Sequence, residues 1–218
     1  MRIAIAGIGG VGGYYGGQLA RYYDPGGDVA VAFIARGRHL AAIRKRGLSP
    51  GIVRHVGGSC RLFFGPEHGD IPSFKKIGQM LKNAGIKAEL RENIDEIVWE
   101  KYIFISPLAS VTALLGEPFG AVMEKKASRE LAEGLIKEVE RIARAKAVKM
   151  AEDIVELTLE KVNSFPYETK SSMQVDCENG KQTEIEAFTG YIVRSGEELQ
   201  VDVPLHRMVY GKLKARCP

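Results

Sequence analysis

The chain has 218 residues, of which 45% are hydrophobic and 27% charged, with a formal net charge of +4. This balance is ordinary for a globular protein, and the length suffices for one large domain or two small ones. The three cysteines and four histidines show no paired or metal-type spacing, so we expect no metal and a reducing, cytoplasmic setting. The sequence has no basic stripe with interleaved aromatic residues, so we expect no nucleic-acid partner.

The chain opens with a predicted strand, a glycine turn and a predicted helix. The β-prone run 2–6 precedes Gly7-Ile8-Gly9-Gly10-Val11-Gly12, and small residues follow. In the pattern G-x-G-x-x-G, Gly7 permits a tight turn, Gly9 lets a pyrophosphate approach the backbone, and Gly12 lets the helix pack on the strand. Free amides at a helix N-terminus suit a diphosphate. We therefore predict a dinucleotide site at this turn; the alternative is a packing turn without a ligand.

The second strand indicates which dinucleotide binds. Residues 28–35 form a nearly continuous apolar run that ends at Arg36. NAD sites usually place Asp or Glu at this strand end, whereas an arginine accommodates the 2′-phosphate of NADP. The first fifty residues carry seven Lys or Arg and two Asp, so positive charge is concentrated near this position. Arg36 therefore favours NADP, while residues 44–46 are more simply a solvated helix end.

The region that follows predicts an incomplete parallel sheet. The pattern alternates short helices and strands, with a helix at 39–47, a hairpin of strands at 52–56 and 60–64, a helix at 73–84 and a strand at 86–90. Parallel sheets are buried on both faces and need neighbouring strands. Either the sheet is completed by an unusual route, or part of it is missing between Pro50 and Gly51.

From Asn93 onward the hydrophobic periodicity is nearly all helical. It predicts helices at 94–115, 127–148, 153–162, 171–177, 183–199 and 206–215. The most apolar run, 102–115, is interrupted by polar residues and is shorter than the ~20 residues of a membrane span, so we expect a buried helix and no membrane partner. The chain therefore divides into an α/β domain over 1–92 and an all-α domain over 93–218.

The helix at 94–115 carries the first candidate for chemistry. Lys101 falls at helical spacing on an apolar stripe that runs from Ile94 through Val98 to Leu108. Burial lowers the pKa of an ammonium group toward neutrality and makes it a usable proton donor. The alternative is that the side chain extends its ammonium to the surface. The spacing leaves both interpretations open.

Two later stretches supply further candidates. Ser172 and Asp176 are four residues apart and share one face of a helix start, where a hydroxyl and free amides can hold a carboxylate. Glu184 precedes an apolar helix and could pair with a buried lysine. The simpler interpretation makes Ser171 or Ser172 an N-cap and Glu184 a first-turn partner of the helix dipole. For each residue taken alone, the simpler interpretation is favoured.

In combination, these stretches resemble the ketopantoate reductase (2-dehydropantoate 2-reductase) family. The resemblance is carried in order by residues 2–13, 35–40, 99–101, 111–113, 171–176, 183–185, 190–193 and 203–204. It implies a Rossmann-type NADP-binding domain, here missing part of its parallel sheet, followed by an all-α domain, with the active site between them. It also implies hydride transfer from NADPH to the ketone of 2-dehydropantoate, a small 2-oxo acid. The product would be pantoate, a precursor of pantothenate and coenzyme A.

Carried over by motif, the resemblance implies roles for five residues. Lys101 matches the proton-donating lysine of the family, and Ser172 matches its substrate-binding serine. Glu184 matches the glutamate placed at the cofactor and the catalytic lysine. Asp176 falls where the family often has an acid near the substrate, and Arg36 matches the basic residue at the 2′-phosphate.

The sequence also departs from the family pattern. Ile105, Ala109 and Phe119 stand where many members carry asparagine, and the rest of the family's parallel sheet belongs between Pro50 and Gly51. Two alternatives follow, a reductase of another small 2-oxo acid and a nucleotide-binding protein without turnover. The apolar helices of the second half make a homodimer plausible.

Overall fold

The structure is a computed structural model that describes residues 2–6, 10–23, 29–34, 61–66 and 71–217. It divides into two compact units, Met1–Ile94 and Asp95–Pro218. The division falls after residue 94, where the sequence predicted a boundary after residue 92. The helix predicted at 39–47, the strand predicted at 52–56 and the junction at 50–51 lie outside the described residues.

The described part of the first unit contains two β-α-β motifs. The described elements are β1 (Arg2–Ala6), α1 (Gly10–Tyr22), β2 (Ala30–Ile34), β3 (Leu62–Phe64), α2 (Ile71–Asn83) and β4 (Ala88–Leu90). The strands β1 and β2 pair in parallel, with Ile3 opposite Val31 and Ile5 opposite Phe33. The strands β3 and β4 also pair in parallel, so the described partner of β3 is not the hairpin strand expected from the sequence.

A glycine brings α1 close to the β1–β2 pair. A Cβ atom on Gly16 would lie 2.6 Å from the ring of Phe33 and 3.1 Å from the side chain of Ile5. Real Cβ atoms essentially never approach other atoms within 3.0 Å, so the contact with Phe33 favours glycine here. The sequence assigned a packing role to Gly12, and the structure shows such a role at Gly16, one helical turn later.

One apolar core joins the two β-α-β motifs. Leu19 of α1, Leu81 of α2 and Ile86 are buried together, and Ile3 and Leu62 pack against them. The opposite face of the β1–β2 pair is exposed within the described part of the chain, and its most apolar member is Ile34, at 49% exposure. A parallel pair covered on one face agrees with the expectation of an incomplete sheet.

The second unit is all helical, as predicted. Its helices are α3 (Ile94–Leu115), α4 (Phe119–Glu124), α5 (Lys126–Ala145), α6 (Ile154–Asn163), α7 (Ser172–Glu178), α8 (Thr189–Leu199) and α9 (Pro204–Arg216). The helix predicted over 183–199 is wrong in its first part, because α8 begins only at Thr189.

The central helix of this unit is α3. Every residue from Ser106 to Ala113 is buried, so the helix is surrounded by protein there. Within the described residues, α3 is the one helix long and apolar enough to cross a membrane, and 56% of its most apolar window is buried. Because the core helix of a globular protein passes the same test, the burial agrees with the predicted buried helix.

Two buried side chains fix the start of α9 on α5. The carboxylate of Glu138 accepts the backbone N–H groups of Leu205 (2.9 Å) and His206 (2.8 Å), and its Oε2 lies 2.7 Å from His206 Nδ1. No N-cap side chain satisfies these first-turn amides, so Glu138 replaces the cap from another helix. Burial opposes the charge of Glu138, but these hydrogen bonds outweigh it and hold the pKa of the carboxyl below its ordinary value. Burial also lowers the pKa of His206, against the opposing effect of Glu138.

A disulfide joins the end of α7 to the end of the chain. Cys177 and Cys217 are bonded, with their Cα atoms 5.1 Å apart and 40 positions apart in sequence. The expectation of unpaired cysteines was therefore wrong, because folding brings together residues whose spacing carries no signal. Because two of the three cysteines are paired, the cysteines no longer favour a reducing compartment.

Candidate active site

The predicted catalytic lysine lies on the exposed side of α3. Lys101 is exposed, and its neighbour on the predicted apolar stripe, Val98, is 54% exposed. The buried side of this part of α3 is formed instead by Trp99 and Ile103. Of the two interpretations that the spacing left open for Lys101, the ammonium extended to the surface describes it, and a position among buried apolar residues does not. Within the described residues, that ammonium has no ion pair or hydrogen-bond partner.

The residue after the lysine ties α3 to the turn that carries Glu184. The hydroxyl of Tyr102 donates to the backbone carbonyls of Ala187 (2.9 Å) and Phe188 (2.8 Å). Glu184 lies in a turn before α8, since its carbonyl accepts the N–H groups of Ala187 and Phe188. Glu184 is therefore not a first-turn residue of the helix, and its side chain is exposed.

The two glutamates of the sequence Thr183-Glu184-Ile185-Glu186 have different surroundings. Glu186 accepts hydrogen bonds from Tyr210 (2.8 Å), Lys214 (3.0 Å) and Arg194 (2.9 Å). These three donors lower the pKa of Glu186 to about 2. Among the described residues, the carboxylate of Glu184 has no such donors. The carboxylate of Glu186 is thus occupied by hydrogen bonds within the protein, while that of Glu184 is available to bind a ligand.

One hydrogen bond between hydroxyl groups ties α3 to the start of α7. Thr112 Oγ1 lies 2.8 Å from the carbonyl of Leu108 and shares a 2.7 Å hydrogen bond with the Ser171 hydroxyl. Ser171 in turn accepts the N–H of Gln174 at 3.1 Å and is the N-cap of α7. Of the two capping candidates in the sequence, the structure selects Ser171. This leaves Ser172 exposed at the first position of the helix.

Other polar side chains near these segments form ion pairs or hydrogen bonds within the fold. Asp176 lies one turn after Ser172 and forms an ion pair with Lys181 at 3.5 Å. Ser110, close to the start of α8, shares a 2.7 Å hydrogen bond with Thr189. Two segments are therefore attached to α3. The turn of Glu184 and the start of α8 are held by Tyr102 and Ser110, and the start of α7 is held by Thr112. Sequence reasoning missed Tyr102, although its position directly after Lys101 was the available signal.

The three positions with family asparagines have apolar surroundings here. Ala109 is 2% exposed, and Phe119 is 6% exposed with its ring against Phe104 and Phe165. Ile105 is partly buried on α3. No polar side chain therefore replaces the amides at these positions.

The proposed cofactor turn is described only at its edges. β1 ends at Ala6 and α1 begins at Gly10, which agrees with the strand, turn and helix order of the sequence pattern. The first turn of α1 has no acidic residue, and Val11 there is 71% exposed. Gly7 to Gly9 and Arg36 lie outside the described residues. In the described ranges, no group of three or more His, Cys, Asp or Glu side chains could hold a metal.

Comparison with protein families gives matches in both units. The model described as Ketopantoate reductase PanE/ApbA C terminal matches residues 93–216, and the one described as Ketopantoate reductase PanE/ApbA matches residues 3–59. The uncharacterized oxidoreductase YkpB of Bacillus subtilis (strain 168) is 31% identical over 75% of this chain and 54% of its own length. The 2-dehydropantoate 2-reductase of Pyrobaculum aerophilum is 31% identical over 64% of this chain and 50% of its own length. The chain spans about half the length of the curated relatives it matches.

A solved structure shows the same fold. The dimeric ketopantoate reductase from Staphylococcus aureus aligns over 99% of this chain and 98% of that chain, with a TM-score of 0.75 and 19% identity. The fold class is therefore a Rossmann-type α/β unit followed by an all-helical unit, and the prediction of that class is confirmed. The chain belongs to the ketopantoate reductase family, whose members are NAD(P)-dependent oxidoreductases.

Proposed function

We propose that this chain is an NADPH-dependent reductase that converts 2-dehydropantoate to pantoate. The observation that carries the proposal is the arrangement around α3. That one helix carries Lys101 and is hydrogen-bonded both to the turn of Glu184 and to the N-cap beside Ser172. The side chains of Lys101, Glu184 and Ser172 are exposed and form no hydrogen bond or ion pair with other described residues. All three therefore lie on α3 or on segments that are attached to it.

The edges of the glycine turn fit a dinucleotide. A strand that ends three residues before a helix, with no acid in the first turn of that helix, suits a diphosphate at the helix N-terminus. Residues 7–12 would hold the pyrophosphate, and Arg36 would hold the 2′-phosphate of NADP. When bound, NADPH would supply the hydride.

Residues of the helical unit would stabilise the negative charge that develops on the substrate and would supply its proton. As hydride reaches the carbonyl carbon, negative charge develops on the carbonyl oxygen. The ammonium of Lys101 would stabilise that charge and donate the proton. Glu184 would orient the ammonium and contact the cofactor. Ser172 would donate a hydrogen bond to the substrate, and Asp176 would lie nearby.

The direct test is steady-state oxidation of NADPH in the presence of 2-dehydropantoate. Lys101→Ala should lower kcat by about 100-fold or more, since a general acid contributes about 10²–10⁴ in rate. Lys212→Ala, which removes another exposed lysine of the same unit, is the matched control and should leave kcat unchanged. If the wild-type chain oxidises no NADPH with this substrate, the proposed function is wrong. If Lys101→Ala turns over at the wild-type rate, Lys101 is not the proton donor.

The proposal extends to assembly and location. We propose a homodimer, supported by the dimeric state of the Staphylococcus aureus enzyme, and we also propose that the chain is located in the cytoplasm. Sedimentation equilibrium at micromolar concentration tests the first part. A mass of a single 23.9 kDa chain would contradict it.

A further inference from the structure

The hydroxyl of Tyr102 occupies an unusual position between two backbone carbonyls. It lies 2.9 Å from the oxygen of Ala187 and 2.8 Å from the oxygen of Phe188, so one proton is shared between two acceptors. Burial raises the pKa of Tyr102, which keeps the phenol protonated and a donor at neutral pH.

The ring of Tyr102 is held by aromatic neighbours. Its centroid lies 5.5 Å from that of Trp99, 5.7 Å from that of Tyr191 and 6.2 Å from that of Phe188, each in an edge-to-face arrangement. Such pairs stabilise a fixed ring orientation. The direction of the hydroxyl is therefore set by packing, independently of the hydrogen bonds that it makes.

The turn that receives these hydrogen bonds is closed by its own backbone, and it is also held at Glu186, whose backbone carbonyl accepts a hydrogen bond from Arg194 at 2.9 Å. The N–H groups of Ala187 and Phe188 both donate to the carbonyl of Glu184, and the N–H of Gly190 donates to the carbonyl of Ile185. The carbonyls of Ala187 and Phe188 both accept from Tyr102 on α3, and the carbonyl of Phe188 also accepts the N–H of Ile192 at 3.4 Å. Tyr102 attaches this end of the turn to the helix.

Lys101 directly precedes Tyr102 on the same helix. Successive residues of an α-helix project about 100° apart, so the position of one fixes the direction of the other. The attachment made by Tyr102 thus relates the backbone that carries the lysine to the backbone that carries the glutamate.

We propose that Tyr102 is a positioning residue, whose hydroxyl holds the turn of Glu184 in register with the segment of α3 that carries Lys101. The proposal rests on the function proposed above for those two residues. Tyr102 itself takes no part in the chemistry. It acts through Glu184, and its removal should have no further effect once Glu184 has been changed.

The test uses the full chain and four variants. Tyr102→Phe removes the hydroxyl and keeps the ring. Tyr191→Phe is the matched control, because its hydroxyl belongs to the same aromatic cluster and has no hydrogen-bond partner among the described residues. Glu184→Gln and the double variant Tyr102→Phe/Glu184→Gln complete a double-mutant cycle.

We expect Tyr102→Phe to lower kcat by about tenfold, the effect of one lost hydrogen bond, with KM for the 2-oxo acid within about twofold. Tyr191→Phe should match the wild type. In the Glu184→Gln background, loss of the Tyr102 hydroxyl should change kcat by less than about twofold. The proposal would be overturned if the decreases in kcat caused by the two substitutions multiplied in the double variant. It would also be overturned if Tyr102→Phe left kcat unchanged.

Hydrogen–deuterium exchange separates this proposal from the proposed function. Peptides that cover residues 184–192 should exchange about tenfold faster in Tyr102→Phe than in the wild type or in Tyr191→Phe. If the wild type reduces no 2-oxo acid, the proposed function fails, and the exchange rates alone decide whether Tyr102 holds the turn. Equal exchange in all three proteins would show that it does not.

Discussion

The buried carboxylate of Glu138 gives the sharpest stability prediction. Its two oxygens accept three hydrogen bonds from Leu205 and His206, and the side chain is only 2% exposed. In Glu138→Gln, the amide nitrogen cannot accept a hydrogen bond. Even in the better orientation, with the oxygen facing His206, the partly buried N–H of Leu205 is left without an acceptor.

The cost follows from that lost acceptor. A buried donor without a partner costs about 1–3 kcal/mol, and hydrogen bonds to charged groups contribute about 1.5–3 kcal/mol. We therefore expect Glu138→Gln to lower the free energy of unfolding by about 3 kcal/mol. For a chain of this length, this corresponds to a decrease in Tm of about 6–12 °C.

Urea unfolding followed by circular dichroism measures the change, with the slope m expected to stay constant. Glu130→Gln is the control, because Glu130 lies on the same helix with 65% of its side chain exposed. It should change stability by less than about 0.5 kcal/mol. If Glu138→Gln were as stable as Glu130→Gln, then Glu138 would not cap α9.

The same site predicts a pH dependence. The folded pKa of His206 is lowered from 6.5, so its contribution is present above that value and is lost as pH falls toward the folded pKa. The pKa of Glu138 is lowered from 4.5, so its contribution is lost below that value. Unfolding free energy should therefore decrease on acidification below about pH 6.5, and His206→Gln should weaken the first part of this decrease. An equal decrease in both proteins between pH 6.5 and 5 would exclude His206 as its source.

Two further predictions concern the disulfide and the cofactor. Cys177→Ser should lower Tm under oxidising conditions, because opening a loop of 40 positions removes about 4 kcal/mol in the chain-entropy account. Identical melting of the wild type with and without reductant would contradict a formed disulfide. Arg36→Ala should weaken NADPH binding by about tenfold or more and leave NADH binding nearly unchanged. Equal losses for both nucleotides in fluorescence titration would rule out contact with the 2′-phosphate.

The order and type of most elements could be predicted from local signals. The apolar run before the glycine turn gave β1, and the helical periodicity after Asn93 gave α3 and its neighbours. Lys101 shows where periodicity fails. A stripe on a 22-residue helix rotates around the axis, so apolar spacing near its exposed end does not establish burial.

The other misses depend on contacts that are distant in sequence. The turn of Glu184 is hydrogen-bonded at two backbone carbonyls to Tyr102, which lies 85 and 86 positions away from these acceptors. The pairing of Glu138 with His206 crosses 68 positions and leaves no periodic pattern. Such long-range contacts are formed by folding, and a single sequence does not display them.

The bond between Cys177 and Cys217 makes a covalent ring out of the last part of the chain, with the Glu184 turn, α8 and α9 inside it. A protease that cuts once within this ring would leave both fragments attached, and the nicked protein would migrate as one species until it is reduced. The final helix is therefore fastened to the helix of Ser172 and Asp176 even where the peptide backbone between them has been broken.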